Sequence, residues 1–511
     1  MKAFSRRAAV VAACAASGAA GMADITAEWT TRIPADRSLS AGITGFAVTP
    51  TGETFVSGAN GSSGNNNVLT AKIGADGAQL WTMTYDGPSH WHEGAGGLAL
   101  SSDGALYVTG STPGPGLIAN VLLLRYQQAD GTRDWAVQWD GGAVSDSGHD
   151  VAVDADGFVY VGGGTVGDGL DCLTLKFDSS GAYLWDQLWD GPPSAPFSTE
   201  SVRQIALTPV GDVVILTAGI QASLHPDFVV VKYDAATGAE LWSESFGVNG
   251  EDAPAQMVVD AAGDIYVTGV GINFSNQYLT VKFDGDDGAV LWSAYDTSAF
   301  DDNGVALALD GLGGVYITGA VDPEGDVSNF NDNIYTVKRD ATSGSLLWTH
   351  EYGANCVGCL DTPGAIGVDS AGNVFVAGST SSPPYSSDQI LLVLDAATGL
   401  EVERGIVSSG ANEGVGAGFL RFDAQENVYL GGNFQNFNTS AVDLTVVRYA
   451  SLVPTTPGDL DGDGDVDLSD LGVLLADYGC TPNPDPCAGD LDGDGDSDLS
   501  DLGVLLSNFG M

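Results

Sequence analysis

Between residues 24 and 452 short apolar runs alternate with turns rich in Gly and Asp, and the runs return in a fixed order. The most regular is a five-residue pattern closed by glycine: Thr54-Phe-Val-Ser-Gly58, Leu106-Tyr-Val-Thr-Gly110, Val159-Tyr-Val-Gly-Gly163, Ile215-Leu-Thr-Ala-Gly219, Ile265-Tyr-Val-Thr-Gly269, Val315-Tyr-Ile-Thr-Gly319, Val374-Phe-Val-Ala-Gly378 and Val428-Tyr-Leu-Gly-Gly432. Its β-branched and aromatic content favours strand, and the spacing of 50 to 59 residues marks a structural repeat. A shorter apolar strand and a turn precede each copy. A third strand follows, such as Tyr278-Leu-Thr-Val-Lys-Phe-Asp284, and seven of these lead through a turn to a fourth, such as Ala289-Val-Leu-Trp-Ser293. Four short strands per unit describe a propeller blade, so the pattern predicts an all-β, eight-bladed β-propeller. The eighth unit runs out at Arg448-Tyr449-Ala450, whereas Ala27-Glu-Trp29-Thr-Thr-Arg-Ile33 matches the missing fourth strand. Pairing the two chain ends predicts a closed ring without an open edge.

Past 452 the pattern changes. Val453-Pro-Thr-Thr-Pro457 predicts a stiff linker over 453–458, and 459–511 holds one loop sequence twice. The first copy carries Asp459, Asp461, Asp463, Gly464, Asp465, Asp467 and Asp470; the second carries Asp490, Asp492, Asp494, Gly495, Asp496, Asp498 and Asp501. Carboxylates at loop positions 1, 3, 5, 9 and 12 supply the oxygens a hard cation requires, position 7 offers its backbone carbonyl, and Gly at 6 permits the sharp turn. This predicts two bound Ca²⁺ ions. Each loop leads into an apolar stretch at helical spacing that ends in Gly479 or Gly510, as a C-cap would. Position 12 is Asp and no helix-length segment precedes either loop, unlike an ordinary EF-hand. A loop followed by one helix, duplicated, resembles a type I dockerin over residues 459 to 510. That resemblance implies calcium-dependent folding and a cohesin-like partner contacted by Leu468, Ser469, Leu499 and Ser500. Ser497 stands where the family is apolar.

The segments Lys232-Tyr-Asp-Ala-Ala-Thr-Gly-Ala-Glu-Leu-Trp242 and Lys338-Arg-Asp-Ala-Thr-Ser-Gly-Ser-Leu-Leu-Trp348 resemble the blade signature of PQQ-like (quinoprotein-like) propellers of secreted bacterial proteins. The resemblance brings in an enzyme reading, a quinone-dependent dehydrogenase. Those enzymes commonly clamp the quinone with adjacent cysteines, and this chain has no Cys-Cys pair. No PQQ is therefore expected.

Composition narrows the partners. Lys and Arg total 17 against 67 Asp and Glu, a formal charge of −50, which makes nucleic acid and anionic membranes poor partners and leaves cations, cationic proteins and glycans. Residues 1–23 combine Lys2, Arg6 and Arg7 with an Ala/Val stretch and small residues before Asp24. This predicts a cleaved export signal and a secreted or cell-surface protein without a membrane span. Ser5-Arg6-Arg7 leaves twin-arginine export open, and Val11-Ala-Ala-Cys14 leaves lipidation open as the lesser alternative. Export permits disulfides, expected for Cys480 with Cys487 and for Cys356 with Cys359; Cys172, in an apolar run, is expected to be a buried thiol.

Three recurrences and one irregular cluster in the propeller are candidate sites. Seven of the ten tryptophans fall once per unit in the fourth strand and predict blade-to-blade packing. An acid lies eleven residues before the first hairpin's turn glycine in six units: Glu93, Asp146, Glu200, Asp252, Asp302 and Asp361. These surround the mouth of a central channel. They either form a carboxylate face for cations or glycan hydroxyls, or each holds its own loop by accepting backbone N–H bonds. A cation recurs in the third strand (Lys72, Arg125, Lys176, Lys232, Lys282, Lys338, Arg448), expected to pair with acids such as Asp178, Asp234 or Asp284. The irregular cluster His90-Trp91-His92-Glu93 is either a ligand-orienting or metal-holding group, or a solvated loop with an anchored Trp. No Ser/His/Asp motif, phosphate loop or HExxH is present, so no catalytic residue is assigned. The favoured reading is an exported, calcium-binding protein whose non-catalytic propeller binds or displays a ligand and whose dockerin-like domain attaches it to an extracellular partner. The alternative is a secreted enzyme acting on polysaccharide, or a quinone-dependent dehydrogenase, anchored by the same domain.

Overall fold

The computed structural model describes residues 23–34, 42–62, 65–114, 116, 118–142, 145–166, 170–191, 200–219, 225–247, 250–272, 276–296, 300–322, 332–353, 360–382, 386–408, 413–439, 441–452, 460, 466, 468–480, 489, 497–507 and 509. The export signal, the linker and the pair Cys356/Cys359 thus lie outside the described residues, apart from Ala23.

Each repeat folds as a four-stranded antiparallel meander. In one of them Ser145–Val153, Val159–Val166, Leu170–Phe177 and Tyr183–Trp189 pair in sequence order. The apolar runs seen in the sequence are the second and third strands, buried almost throughout because a neighbouring sheet covers each face. Fourth strands are half exposed and mix apolar with polar residues. Among the described residues the strands form six such sheets and one nine-stranded sheet. The larger sheet contains two four-stranded runs, one of Asp361–Val368 through Glu401–Val407, the other of Glu413–Phe422, Val428–Asn436, Ala441–Tyr449 and Trp29–Ile33. The result is a multi-bladed, propeller-like arrangement.

The predicted closure is present. Trp29–Ile33 lies antiparallel to Ala441–Tyr449, with Trp29 opposite Arg448 and Ile33 opposite Leu444. The first strand of each sheet touches the first strand of the next, and Glu413–Phe422 returns to Ile43–Val48. First strands therefore form the wall around the ring's centre. Ala23–Asp24 adds a short parallel pairing to the outer edge of Glu401–Val407.

The tryptophans pack between sheets. Trp292 Nε1 donates to Ala341 O of the following sheet at 3.0 Å, and its ring covers Gly344, whose φ of +69° only glycine adopts readily. Trp29 does the same over Gly77, with Nε1 donating to Ala75 O at 2.9 Å, so the sheet built from both chain ends is locked to the first.

At the C-terminal end two short helices, α1 (Leu468–Asp477) and α2 (Leu499–Ser507), pack through Val466, Leu474 and Leu505, all fully buried. Among the described residues no helix is long and apolar enough to cross a membrane.

Candidate functional site

The six recurrent acids stand at the start of the first strands, as the repeat predicted, but the fold turns them inward. Their exposures are 2% or less. Glu93 Oε1 accepts from Gly87 N at 3.1 Å, Glu200 Oε2 from Gly191 N at 2.9 Å, and Asp252 Oδ1 from Ile272 N at 2.6 Å. Asp146 accepts from Gly141 N at 2.9 Å and from Thr165 Oγ1 at 2.5 Å; Asp361 accepts from Thr380 Oγ1 at 2.6 Å. Asp302 is equally buried. This is the geometry of loop anchors: a buried carboxylate is stable because backbone donors replace its water. An open carboxylate face is not what the ring presents. Burial also pushes the Glu93 carboxyl above its ordinary value, against the hydrogen bonds that lower it.

The cluster at His90 is divided by the same anchor. Glu93 points into the sheet, while His90, Trp91 and His92 face solvent. His90 has a positive φ of 50° and pairs with Asp86 at 2.7 Å, and the Trp91 and His92 rings meet edge to face at 6.0 Å. With Arg133 and Gln138, His90 and Asp86 border a surface cleft of about 500 Å³.

The cation series follows a different geometry from the expected one. Lys72 pairs with Glu53 at 2.6 Å, Arg125 with Asp103 at 3.0 Å, Lys232 with Asp212 at 3.1 Å and Lys282 with Asp264 at 2.7 Å, acids at the first hairpin, while Arg125 and Arg448 also pair with Asp134 and Glu28 at the fourth strand. Asp178 and Asp284 instead accept from their own turns, from Ser180 N and Asp286 N, while Asp234 accepts from Thr237 N and also attracts Lys176 of the preceding sheet. The second strand runs beside the third and brings its turn acid to the cation of the same sheet, whereas the acid after the third strand caps the next turn and, in Asp234 and Asp395, faces the cation of the preceding sheet. Lys176 and Lys338 reach the following sheet and donate to Ala235 O at 2.7 Å and Ala396 O at 2.8 Å, the carbonyls that also receive Trp185 and Trp348.

In the C-terminal pair, Asp470 and Asp501 sit in the first turn of α1 and α2 with no exposure. Leu460 N donates to Asp470 Oδ1 at 2.6 Å, and Asp498 N to Asp501 Oδ2 at 2.7 Å. Two carboxylates directed inward at the junction of loop and helix suit the last ligand position of a calcium loop. Asp459, Asp461, Asp463, Asp465, Asp467, Asp490, Asp492, Asp494 and Asp496 lie outside the described residues; Asp498 is exposed. Ser497 is fully buried and donates from Oγ to Asp477 Oδ2 at 2.9 Å, so its departure from an apolar residue is matched by a partner at the end of α1. Leu468, Ser469, Leu499 and Ser500 are all exposed. Cys480 is disulfide-bonded; Cys487 lies outside the described residues. Cys172 is a buried free thiol, and burial pushes it up to about 12.

Sequence reading missed a cleft of about 600 Å³ on the channel wall, bordered by His149, Ser201, Arg203, Glu251 and Asp252. His149 Nδ1 lies 3.0 Å from Val202 O and its Nε2 2.9 Å from Ser147 Oγ, which holds the ring in one orientation. The available signal was a break in the repeat, since His149 and Arg203 occupy a place that is small or aliphatic in the other units.

The family model described as outer membrane protein assembly factor BamB matches residues 177–319 and 226–428. Among solved structures, the chain is similar to the quinohemoprotein alcohol dehydrogenase ADHIIG of Pseudomonas putida HK5 (12% identity, 84% of this chain and 76% of that one, TM-score 0.53). The quinohemoprotein alcohol dehydrogenase of Comamonas testosteroni matches comparably (12%, 83% and 76%, 0.53), as does a europium-containing methanol dehydrogenase (11%, 83% and 93%, 0.54). No curated protein matches the chain in sequence. At such identities the shared property is the fold: the repeat region resembles the PQQ-type and BamB-like propellers.

Proposed function

We propose that the chain is an exported, eight-bladed propeller that binds a ligand without transforming it, attached to a cohesin-like extracellular partner by a calcium-loaded, dockerin-like pair of loops. The observation that carries the attachment is the duplicated twelve-residue loop whose last carboxylates, Asp470 and Asp501, are buried at the starts of two helices packed on each other. Those carboxylates and the remaining loop acids would hold two Ca²⁺ ions, which supply the charge that lets so many acids share a small domain. The exposed pairs Leu468-Ser469 and Leu499-Ser500 would meet the partner.

Binding is favoured over catalysis because the propeller's recurrent side chains serve architecture: the acids hold loops, and the cations and tryptophans join sheets. The matching family model is also that of an assembly factor. The eight repeats, the last of which pairs with Trp29–Ile33, support the count of eight blades. Calorimetric titration of the full chain with Ca²⁺ tests the attachment: two ions should bind, and one should be lost with Asp461→Ala/Asp463→Ala. Absence of Ca²⁺ binding would overturn it.

A further inference from the structure

Aligning the first strands on the hairpin turn shows what faces the ring's centre. Most of these strands carry a bulge at one place, for instance between Gly148 and Asp150, Pro254 and Gln256, and Pro363 and Ala365. Counted from the hairpin turn, the residue at this place is Gly, Ala, Val or Thr except in two adjacent sheets, where it is His149 and Arg203, both exposed. Three residues further on the place is Ala, Val or Gly except for Arg421. Architecture repeats around a ring, whereas these three side chains do not.

Arg203 and Arg421 are two of the described cations that stand in no ion pair, as are Arg32, Arg133, Lys176 and Lys338; Arg421 Nη1 donates to Leu420 O at 2.8 Å. Asp150 attracts Arg421 electrostatically, although their strands, Ser145–Val153 and Glu413–Phe422, belong to sheets that are not neighbours, so the attraction runs across the lumen. Asp150 itself is engaged by Val151 N at 2.9 Å and Ile205 N at 3.0 Å. The recurrent acids nearby are buried in their loops. Among the described residues that line the cleft, Arg203 and Glu251 are exposed while Asp252 is buried.

We propose that the channel binds a small hydroxylated carboxylate of sugar-acid size in the cleft beside Arg203. The Arg203 guanidinium would take the carboxylate, a planar fork matched to two oxygens. Ser201 and Glu251 offer groups of both hydrogen-bonding senses to hydroxyls, the His149 ring, held by its two hydrogen bonds, walls the cleft, and Arg421 adds positive potential from the opposite wall. A volume of about 600 Å³ lies within the usual range for small-molecule pockets. The cleft across the ring, about 250 Å³ and bordered by Thr362, Ser379, Gly416 and Asn433 among others, offers no ionic group.

The inference rests on reading the propeller as a binding module and is independent of the calcium loops. Calorimetry of the full chain in Ca²⁺, with D-galacturonate as probe and D-galactose as its neutral counterpart, tests it. Galacturonate should bind at one site and galactose at least about tenfold more weakly, since a charged hydrogen-bonded pair is worth that factor or more. Arg203→Gln should lose about tenfold or more and Arg203→Lys less. Arg421→Gln should lose several-fold, Asp150→Asn should gain, and Arg133→Gln, outside the channel, should change nothing. Unchanged melting temperatures identify variants that are folded. Failure of galacturonate to bind, equal binding of the two sugars, or wild-type affinity in both Arg203 variants would overturn the proposal. Intact Ca²⁺ binding in the same sample would show that the attachment reading survives.

Discussion

The contact of Trp292 with Gly344 makes the ring's construction measurable. Trp292 is 8% exposed, its Nε1 donates to Ala341 O at 3.0 Å, and a Cβ added to Gly344 would lie 2.7 Å from the ring. Trp292→Ala removes a large buried side chain and should cost about 3–5 kcal/mol. Trp292→Phe keeps most of the packing and loses the indole bond, worth about 1 kcal/mol; the carbonyl retains Lys282 Nζ at 3.4 Å. Gly344→Ala combines two costs. Its φ of +69° disfavours a side chain by about 1–2 kcal/mol. The overlap with the ring adds roughly 1–3 kcal/mol more, as overpacking does. In the Trp292→Ala background the overlap disappears and the conformational cost remains, so the two substitutions should couple by roughly 1–3 kcal/mol, well outside the scatter of independent sites. Urea unfolding of the four proteins, followed by far-ultraviolet circular dichroism, completes the cycle. If Gly344→Ala costs the same with and without the indole, the ring does not press on that glycine and the account of the sheet interface is wrong.

Deleting residues 24–34 should expose the edge of Ala441–Tyr449, lower the melting temperature and promote aggregation; an unchanged melting temperature would count against closure. In the first calcium loop, Asp463→Ala should weaken Ca²⁺ binding more than Asp465→Ala, because position 7 contributes its carbonyl, and titration calorimetry would show the reverse order if the loop is not of this type. Burial pushes Asp150 up to about 6, so the folded chain takes up a proton that the unfolded chain, with an ordinary carboxyl near 4, does not. Its contribution to stability should therefore be unfavourable above pH 6 and improve as pH falls from about 6 to about 4, a slope that Asp150→Asn should remove from the pH dependence of the urea midpoint. Purified protein supplied with PQQ and Ca²⁺ should show no dye-linked oxidation of alcohols or sugars; turnover abolished by Arg203→Gln would favour the enzyme reading instead.

Local information sufficed for the strands, the repeat and the closure. A second or third strand covered on both faces must be apolar throughout, and a first hairpin needs a residue tolerant of positive φ; where glycine is absent from that turn, Glu426 takes its place at φ 59°. The chain ends were equally legible, because a missing fourth strand and a spare Trp-bearing strand are complementary. Even the gap in the tryptophan series follows the same logic. Glu403 stands opposite Val393 where other sheets pair Trp with a cation, and the sheet it faces has no third hairpin, since the chain ends occupy that position.

Direction and partnership were settled by tertiary structure alone. Eleven residues before a turn places an acid at the foot of a strand, but whether it points to solvent or into the loop depends on donors such as Gly87 N and Ile272 N, contributed by other strands and loops. Lys232 could be matched in sequence to Asp234; the sheet register gave it Asp212 and Gly285 O instead. His149, Arg203 and Arg421 are far apart in sequence and individually unremarked. They gain meaning only when ring closure brings first strands from separate sheets around one lumen, because electrostatic and ligand contacts depend on distance through space.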